Sequence, residues 1–464
     1  MGESEKLLAA SLAKLPYAPL PSQKEALERL VEFACHGRSR DVLVLSGYAG
    51  TGKTSLVGAL IAAMGSYKMK TRVLAPTGRA AKVAEKYSAR RASTIHRHIY
   101  RVQGEGPSAT FGLGHNSAVD TLYIIDESSM VTDFPGHSML VDLVRFVYSA
   151  PGCRMILVGD EAQLPPFGGE NAPAMNPDRL GALGLTPETV RLTDIARQQG
   201  DSGILMNATE VRSHLVEKQW TLPKLSARYP DTEIVTFYDF EEALSGSWSR
   251  VGREESVIIT RSNRRANMIN AAVRRQLLYA EEPLERGERL VLAKNNYFWT
   301  RDVAGINFLA NGETVTVEWI GKREFRYGFW FVDVELSVPG TESTVAAKLL
   351  LDSLQADGPA LPREKMQQLY ESVMAGHPGT ENEKMMAAYT DPYFNALQAK
   401  YDYCITCHKA QGGQWRHVYV DLDSLMLDGI DETFLRWLYT AVTRAVDRLF
   451  FLNPSIPIEE KQRH

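Results

Sequence analysis

The residues with the clearest capacity for chemistry close a glycine-rich loop, GYAGTGKT, at residues 47–54. Glycines there let backbone N–H groups curl around phosphate oxygens, and a helix that begins at the loop adds a favourable dipole. In such a loop the Lys53 amine reaches the β- and γ-phosphates of a nucleotide, and the Thr54 hydroxyl coordinates Mg²⁺. The alternative is a glycine-rich turn that exposes a lysine. The phosphate-binding residues predicted from this pattern are Gly47, Gly50, Thr51, Gly52, Lys53 and Thr54.

Two carboxylates follow an apolar run in the sequence TLYIIDESS, residues 121–129. A buried strand that ends in Asp126 and Glu127 delivers both side chains to one edge of a sheet, the Walker B arrangement. Asp126 is then placed to hold Mg²⁺ through water, and Glu127 is placed to polarise an attacking water as general base. The alternative is an acidic pair that caps the start of a helix.

A third apolar run, RMILVGD at residues 154–160, leads to Gln163. A glutamine at the tip of such a strand can sense the γ-phosphate of a nucleotide. It can equally be a turn residue ahead of Pro165 and Pro166. The residues alone do not decide between these two interpretations.

These side chains need strands and helices to position them. The run DVLVLS at residues 41–46 is typical of a buried parallel strand, and SLVGALIAAM after the loop has a helical pattern. The predicted fold is therefore α/β. A length of 464 residues allows two to four domains, and a hydrophobic fraction of 44% is ordinary for a globular protein.

Composition also limits the class of protein. No apolar run reaches the roughly 18 residues of a membrane-spanning helix, and the start of the chain lacks the apolar segment of a signal peptide. Four cysteines do not make a disulfide framework, so a cytoplasmic protein is expected. The net charge is −4, so binding to nucleic acid would need local basic patches on an otherwise balanced surface.

The string YCITCHKAQG, residues 403–412, contains C-x-x-C-H, the attachment motif of c-type haem. Haem attachment takes place in an oxidising, exported compartment, which the cysteine usage does not favour. A redox pair of Cys404 and Cys407 and a zinc site are further alternatives, although no second ligand pair with metal spacing follows. The rest of the sequence favours a different interpretation, without haem.

Eight short blocks occur in one order along the chain: GYAGTGKTS, APTGRAAK, STIH, IIDESSM, VGDEAQLPP, LTDIARQ, TCHKAQG and LYTAVTRA. Together they resemble the superfamily 1B DNA helicases of the RecD and Dda type, over residues 21–453. The resemblance implies two RecA-like P-loop domains, called 1A and 2A, with ATP in the cleft between them. It also implies 5′→3′ movement along single-stranded DNA, which the spacing of the blocks does not itself establish.

On the nucleotide side, the resemblance assigns roles to five more residues. Gln23 matches a glutamine that reads adenine; otherwise it is a solvated glutamine on a helix. Arg197 and Arg444 match the two arginine fingers of the family, because a fixed guanidinium fork can bind developing phosphoryl charge. Without the resemblance, both arginines would be assigned to the surface. Gln411 and Gly412 match the turn that faces the nucleotide.

On the DNA side, the matching blocks supply candidates on both domains. Thr94 lies at the start of a helix, where N–H groups can bind a phosphate, although an N-cap is an equally good alternative. Cys404 and Cys407 stand where small apolar residues are common, and Ala410 departs mildly from the family's serine. The predicted DNA contacts are Pro76, Thr77, Thr94 and His96 on domain 1A, and Thr406 and His408 on domain 2A.

Two insertions are also expected. The resemblance implies that the glycine-rich segment 101–120 is a small 1B hairpin that splits the duplex, with Phe111 stacking at its tip; a flexible loop with the ring tucked against 1A is an equal alternative. Short alternating runs over about 314–351 predict a small β-barrel, and the resemblance implies that it is an SH3-like domain, 2B. The helical segment up to 400 either braces 2B or contacts a partner. The predicted limits are 1–20 for an N-terminal helix, 21–190 for 1A, 191–313 and 401–464 for 2A, and 314–400 for 2B with its helical extension.

Two functions compete at this point. The first is an ATP-dependent DNA helicase that uses ATP and Mg²⁺, binds single-stranded and forked duplex DNA, and works with or without a protein partner in replication, recombination or repair. The second is a DNA-stimulated ATPase subunit of a larger complex that does not unwind alone. A P-loop ATPase unrelated to DNA would leave the TCHKAQG and arginine-containing blocks unexplained. No membrane partner is expected.

Overall fold

The computed structural model describes residues 2–67, 69–103, 110–136, 138–166, 168–169, 172–194, 202–301, 303, 306, 308–341, 343–423 and 429–460. Its α-helices are α1 (Glu3–Leu12), α2 (Pro21–His36), α3 (Lys53–Ala63), α4 (Gly78–Ser88), α5 (Ile95–Ile99), α6 (Met139–Tyr148), α7 (Pro177–Ala182), α8 (Gly203–Val216), α9 (Phe240–Val251), α10 (Asn263–Gln276), α11 (Arg363–Ala375), α12 (Glu381–Thr390), α13 (Cys407–Ala410) and α14 (Glu432–Val442).

The strands are β1 (Asp41–Gly47), β2 (Lys70–Ala75), β3 (Ala92–Thr94), β4 (Tyr100–Gln103), β5 (Thr110–Leu113), β6 (Thr121–Ile125), β7 (Arg154–Gly159), β8 (Thr186–Leu192), β9 (Leu225–Ser226), β10 (Thr232–Val235), β11 (Ser256–Thr260), β12 (Arg289–Leu292), β13 (Thr314–Arg326), β14 (Phe329–Ser337), β15 (Thr344–Leu350), β16 (Ala399–Tyr401), β17 (Cys404–Thr406), β18 (Trp415–Asp421), β19 (Ala445–Leu452) and β20 (Ile458–Glu459).

The first half of the chain forms a parallel sheet with the strand order β3-β2-β6-β7-β1-β8. Helices cover both of its faces, which is why β1 is an unbroken apolar run. Leu43 and Leu45 pack with α2 and α3, whereas Val42 and Val44 pack with α6 on the opposite face. The carboxyl ends of β1, β6 and β7 therefore meet at one edge, where their loops can form a single site.

The second half contains another parallel sheet, with the order β10-β19-β18-β11-β17. Val418 and Val420 of β18 pack against α14, and Tyr419 faces the other side. Two parallel sheets flanked by helices confirm the predicted α/β fold with two RecA-like domains.

A third sheet is antiparallel and lies between β11 and β17 in the chain, with the order β15-β14-β13-β12-β16. The expected SH3-like barrel is not confirmed. β15 and β16 stand at the two ends of this strand order, and β15 also bonds Leu397, two residues before β16. The sheet begins at Arg289, ahead of residue 314, and takes in β16 from beyond the helical segment. The limits of the predicted domains otherwise stay predictions.

Helices α11 and α12 cover one face of this third sheet. Phe329 and Phe331 of β14 pack with Leu369 and Val373 of α11 in a shared apolar cluster. The helical extension therefore packs on the sheet, and both of its expected roles stay predictions. Among the helices of the described ranges, none combines the length and apolar character needed to cross a bilayer.

We predict that Phe331→Ala destabilises the protein by about 3–5 kcal/mol, because Phe331 is 0% exposed and the truncation leaves a cavity under α11. Chemical denaturation and limited proteolysis of residues 363–390 measure the effect. The matched control is Phe325→Ala in the neighbouring strand, where the ring is 61% exposed. The control should cost about 0.5 kcal/mol or less. Equal losses in both variants would contradict the packing described.

Candidate nucleotide site and DNA-facing surfaces

The phosphate loop connects β1 directly to α3, as the sequence predicts. Gly50 and Gly52 have φ angles of 77° and 91°, a region that favours glycine. A Cβ on Gly52 would lie 2.7 Å from Nε2 of Gln23, so this position also needs glycine for space. The Lys53 amine donates to the carbonyl oxygens of Gly47 at 2.5 Å and Tyr48 at 2.9 Å, which holds it at the loop. Thr54, at the start of α3, is exposed.

Gln23 is fully buried and braces the phosphate loop. Its Nε2 donates to the Thr51 carbonyl at 2.9 Å, and its Oε1 accepts the Leu20 N–H at 3.0 Å. A solvated surface glutamine is therefore ruled out. The contact of Gln23 with adenine stays a prediction. The structure adds a second role for Gln23, because its hydrogen bond to Thr51 holds the loop that must surround the phosphates.

Asp126 and Glu127 follow β6 at the edge predicted for them. Asp126 accepts the Glu127 N–H at 2.9 Å and the Tyr87 hydroxyl at 3.0 Å. Burial, with the charge of Glu127 adding to it, raises the pKa of Asp126 to about 6. Glu127 has a left-handed backbone, with φ of 49°. The Thr54 hydroxyl and Asp126 carboxylate are hard oxygen donors, so this donor set fits Mg²⁺.

Tyr87 is a residue of this site that the sequence did not reveal. It lies at the end of α4, 39 residues before Asp126 in the chain, and no motif marks it. Its hydroxyl occupies one carboxylate oxygen of Asp126 and so fixes the orientation of that side chain. Partners of this kind orient metal ligands in many proteins.

The loop after β7 is held by α14 of the second parallel sheet. The Tyr439 hydroxyl donates to Asp160 at 2.7 Å and accepts the Ala49 N–H of the phosphate loop at 2.8 Å. The Leu164 N–H donates to Thr440 Oγ1 at 2.9 Å. Burial and the charge of Asp160 raise the pKa of Tyr439 well above its usual range. Tyr439 lies in the block LYTAVTRA, so that block was the available signal for it.

Gln163 sits in this same loop and is 6% exposed. Its backbone carbonyl accepts a bond from Arg436 Nη1 at 3.1 Å. Within the described part of the chain, its side-chain Oε1 is buried without a hydrogen-bond partner. A buried amide oxygen that lacks a partner costs free energy. That property suits a γ-phosphate sensor better than a turn residue, although the role itself stays a prediction.

Arg444 is buried, and its Nη1 lies 3.6 Å from Oε1 of Glu127. The Arg444 guanidinium, from the half of the chain with the second parallel sheet, thus approaches the Glu127 carboxylate at the edge of the first sheet. Arg197, the other arginine expected here, lies outside the described residues. Gln411 Nε2 donates to the Leu164 carbonyl at 2.6 Å, so this residue also contacts the loop after β7.

The cysteines of YCITCHKAQG are packed in the interior. Cys404 and Cys407 are each 1% exposed, and the Cys407 thiol lies 3.5 Å from the Trp437 carbonyl. Burial raises the pKa of the Cys404 thiol well above its usual range and that of Cys407 to about 12. These thiols behave as small apolar groups, as the sequence interpretation required.

The predicted DNA contacts fall at helix starts. The hydroxyls of Thr77 and Thr94 accept the N–H groups of Ala80 and Arg97, each at 3.2 Å, so both threonines are N-caps in this structure. Pro76 precedes Thr77 and is half-buried, as are His96 and His408, whereas Thr406 is 7% exposed. Burial lowers the pKa of His408.

A basic groove lies between the first parallel sheet and the third sheet. Its volume is about 1010 Å³, and Thr94 is the predicted DNA contact that lines it. The groove is lined by basic side chains from the first domain and by the segment 338–343 from the third sheet. Those basic residues are Arg72, Lys82, Arg91 and Arg97. His98 also lines the groove, but burial lowers its pKa to about 4, and the carboxylates Glu85 and Glu313 line it as well.

The expected position of Phe111 is wrong in one respect. Strands β4 and β5 form an antiparallel hairpin in which Phe111 pairs with Val102, and Gln103 and Thr110 pair beyond it. Phe111 therefore lies within the ladder, because the register places at least one more pair between it and the turn. Residues 104–109 lie outside the described residues.

Two family models match the chain. Residues 20–222 match a family described as an AAA domain, and residues 401–452 match a family described as a UvrD-like helicase C-terminal domain. These matches cover the phosphate loop and both carboxylates in the first case, and β17 to β19 with α14 in the second.

Curated relatives match over shorter stretches. The chain is 34% identical over 170 residues to the ATP-dependent RecD2 DNA helicase of Deinococcus radiodurans, which covers 36% of this chain and 21% of that protein. It is 33% identical over 146 residues to the RecBCD enzyme subunit RecD of Mycobacterium tuberculosis, which covers 27% and 24%. The match therefore spans less than a quarter of the length of each relative.

Solved structures of Pif1 helicases align over most of the chain. One, on DNA unwinding at forked dsDNA by two coordinating Pif1 helicases, has a TM-score of 0.49 and 17% identity, and covers 95% of this chain and 93% of the other. A second, Pif1 from Bacteroides with ADP-AlF3 and ssDNA, has a TM-score of 0.47 and 15% identity, and covers 95% and 94%.

We predict that Tyr87→Phe raises the Mg²⁺ concentration needed for half-maximal nucleotide binding about tenfold, because Asp126 loses the hydroxyl that orients it. A Mg²⁺ titration with a fluorescent ATP analogue measures the change. Tyr148→Phe is the matched control, since its hydroxyl bonds the Asp41 carbonyl at the opposite end of β1. An unchanged Mg²⁺ titration for Tyr87→Phe would show that the contact does not position Asp126.

Proposed function

We propose that this chain is a superfamily 1B helicase of the RecD type, an ATP-dependent DNA helicase that moves 5′→3′ on single-stranded DNA. The observation that carries the proposal is the meeting of two parallel-sheet domains at one nucleotide site. Arg444 from the second domain lies 3.6 Å from Glu127 of the first. A site built from both domains lets hydrolysis change their relative position, which a motor requires.

The residues at the cleft have complementary tasks. The phosphate loop and Lys53 bind the β- and γ-phosphates, and Thr54 and Asp126 are the residues that would hold Mg²⁺. Bound Mg²⁺ supplies charge neutralisation at the phosphates. Glu127 is placed to accept a proton from the attacking water, and Arg444 to stabilise charge on the transferred phosphoryl group.

Contact between the domains makes hydrolysis depend on closure. Tyr439 bonds the phosphate loop and Asp160 at once, so separation of α14 from the first domain would break both hydrogen bonds. The candidate γ-phosphate sensor, Gln163, lies in the same loop as Asp160, and its backbone carbonyl accepts a hydrogen bond from Arg436 of α14. After hydrolysis, the γ-phosphate that Gln163 is proposed to contact would be absent, and the cleft could then open.

We assign DNA binding to two sets of residues, one in each domain. Pro76, Thr77, Thr94 and His96 belong to the first domain, and Thr406 and His408 to the second. Alternate opening and closing of the cleft would let the two sets grip in turn and draw one strand through. The basic groove of about 1010 Å³ beside Thr94 supports a path for the negatively charged backbone. The hairpin of β4 and β5 is the element that we assign to strand separation.

A second function is favoured by one comparison. The RecD relative is a named subunit of the RecBCD enzyme, so a chain of this type can act inside a larger complex. In that case the protein is a DNA-stimulated ATPase that does not unwind alone.

The first experiment is strand separation by the purified chain with ATP and Mg²⁺. Duplexes with a 5′ or a 3′ single-stranded tail are the substrates, and Lys53→Ala is the control that removes the phosphate-binding amine. We expect separation of the 5′-tailed duplex alone, lost in Lys53→Ala. Stimulated ATPase without separation would favour the subunit function, and separation of the 3′-tailed duplex would overturn the direction.

We further predict that Tyr439→Phe lowers the DNA-stimulated ATPase rate about tenfold, because it removes the hydroxyl between the phosphate loop and Asp160. Tyr419→Phe is the matched control, a buried tyrosine whose hydroxyl bonds the Ala243 carbonyl at 2.7 Å, away from the cleft. Steady-state kinetics and thermal melting are measured on both variants. A Tyr439→Phe rate within about twofold of wild type would argue against coupling through this hydroxyl.

A further inference from the structure

The two walls of the basic groove differ in chemistry. The first domain supplies exposed cations, which are Arg72, Lys82, Arg91 and Arg97. The second half of the chain supplies mainly apolar side chains, which are Ile306, Phe308, Ala310, Val338 and Pro339. We call these two sides the cationic wall and the apolar wall. Phosphate contacts use the cationic wall and leave the apolar wall without a role.

Phe308 is placed on the apolar wall by a short antiparallel pairing. The backbones of Asn296 and Leu309 exchange two hydrogen bonds, each of 2.8 Å. In that register Tyr297 stands directly opposite Phe308, and successive side chains on one strand point to opposite faces. Leu309 therefore points into the core, where it is 0% exposed, and the half-buried Phe308 points to the groove.

A second ring lies behind Phe308. The centroids of the Phe308 and Tyr297 rings are 4.8 Å apart, with an angle of 34° between the two planes. Rings at this separation attract one another, so Phe308 is held in place before any ligand arrives. Among the described residues that line the groove, Phe308 carries the only phenyl, phenol or indole ring. A ring that is supported from behind and borders a cavity offers a surface on which a flat group can stack.

Two carboxylates also line the groove, but they do not cancel its positive charge. Glu85 and Glu313 stand against the four exposed cations. Burial raises the pKa of Glu313, whereas the hydrogen bond from the Ala310 N–H and the charges of Arg97 and Lys82 act in the opposite direction. Because these two cations act on Glu313, the two walls lie close together here. A ligand in the groove can therefore contact both walls at once.

We propose that Phe308 is a base-stacking residue, on which a base of single-stranded DNA lies while the phosphates of that strand contact the cationic wall. This inference rests on the proposed function and adds what binds the bases. The groove would take a single strand in preference to a duplex, because the base faces of a duplex are already covered by neighbouring base pairs. Binding is also expected to be tolerant of sequence, since every base has a face that stacks on a ring.

The test compares oligo(dT) with an abasic oligonucleotide of the same length, by fluorescence anisotropy on the full chain. We expect Phe308→Ala to raise the Kd for oligo(dT) about tenfold. The same change should leave the Kd for the abasic strand within about twofold of wild type, because the ring then has no base to stack on. Phe308→Trp should keep the wild-type Kd for oligo(dT) within about twofold, because an indole also stacks.

Phe298→Ala is the matched control. Phe298 is a half-buried ring of the same segment, its centroid lies 4.9 Å from that of Trp299, and it is not among the described residues that line the groove. Its truncation should leave both Kd values within about twofold of wild type. Thermal melting of each variant shows whether the fold is kept.

The outcomes separate this inference from the proposed function. Equal losses with oligo(dT) and the abasic strand would make the ring a part of the groove's shape and overturn the stacking role, as would an unchanged Kd for oligo(dT) in Phe308→Ala. If Phe308→Ala melts at a lower temperature than wild type, Phe308→Leu decides, because it keeps apolar volume beside Tyr297: a wild-type Kd for oligo(dT) there overturns the inference. If the wild type binds neither strand, the proposed function fails as well. A wild type that prefers oligo(dT), with the preference unchanged in Phe308→Ala, refutes stacking on Phe308 alone.

Discussion

The contact between the two domains depends on helix α14, which packs against both of them. Its apolar side packs Phe434, Leu435 and Leu438 into the core of the second parallel sheet. Its polar side presents Tyr439 to the phosphate loop and Asp160. The first contact fixes the helix in its own domain, and the second docks that domain on the nucleotide site. The hydrogen bonds at the polar side are worth only about 1 kcal/mol each, but a buried group left without its partner costs more, so the closed cleft is specific in geometry.

The core elements could be predicted because their signals are local. β1 alternates its apolar side chains between two helix-covered faces, and the loop GYAGTGKT joins it to α3 with no intervening element. The same holds for Asp126 at the end of β6. These features need only neighbouring residues and elementary strand geometry, so the sequence patterns were sufficient.

Other features could not be predicted from the sequence, because they are contacts between residues that lie far apart in the chain. Tyr87 meets Asp126 across 39 positions, and Tyr439 meets Asp160 across 279. No periodicity reports such a contact. The barrel expected at 2B is not confirmed: alternation predicts strands and their faces, but closure depends on how the edge strands pair, and here the sheet also takes in β12 and β16 from outside residues 314–351. Phe111 was placed at a tip because composition does not give hairpin register.

Helix α4 connects the second domain to the nucleotide site. Its first residue follows Thr77, which packs beside Gly412 of the second domain, and its end carries Tyr87 against Asp126. Eleven residues of helix span about 16 Å and do not compress, so movement at one end must appear at the other. A displacement at the contact with Gly412 therefore has a direct route to Asp126, separate from the route through α14. The two routes meet at Asp126 and Glu127, so hydrolysis is expected to respond to both contacts between the domains.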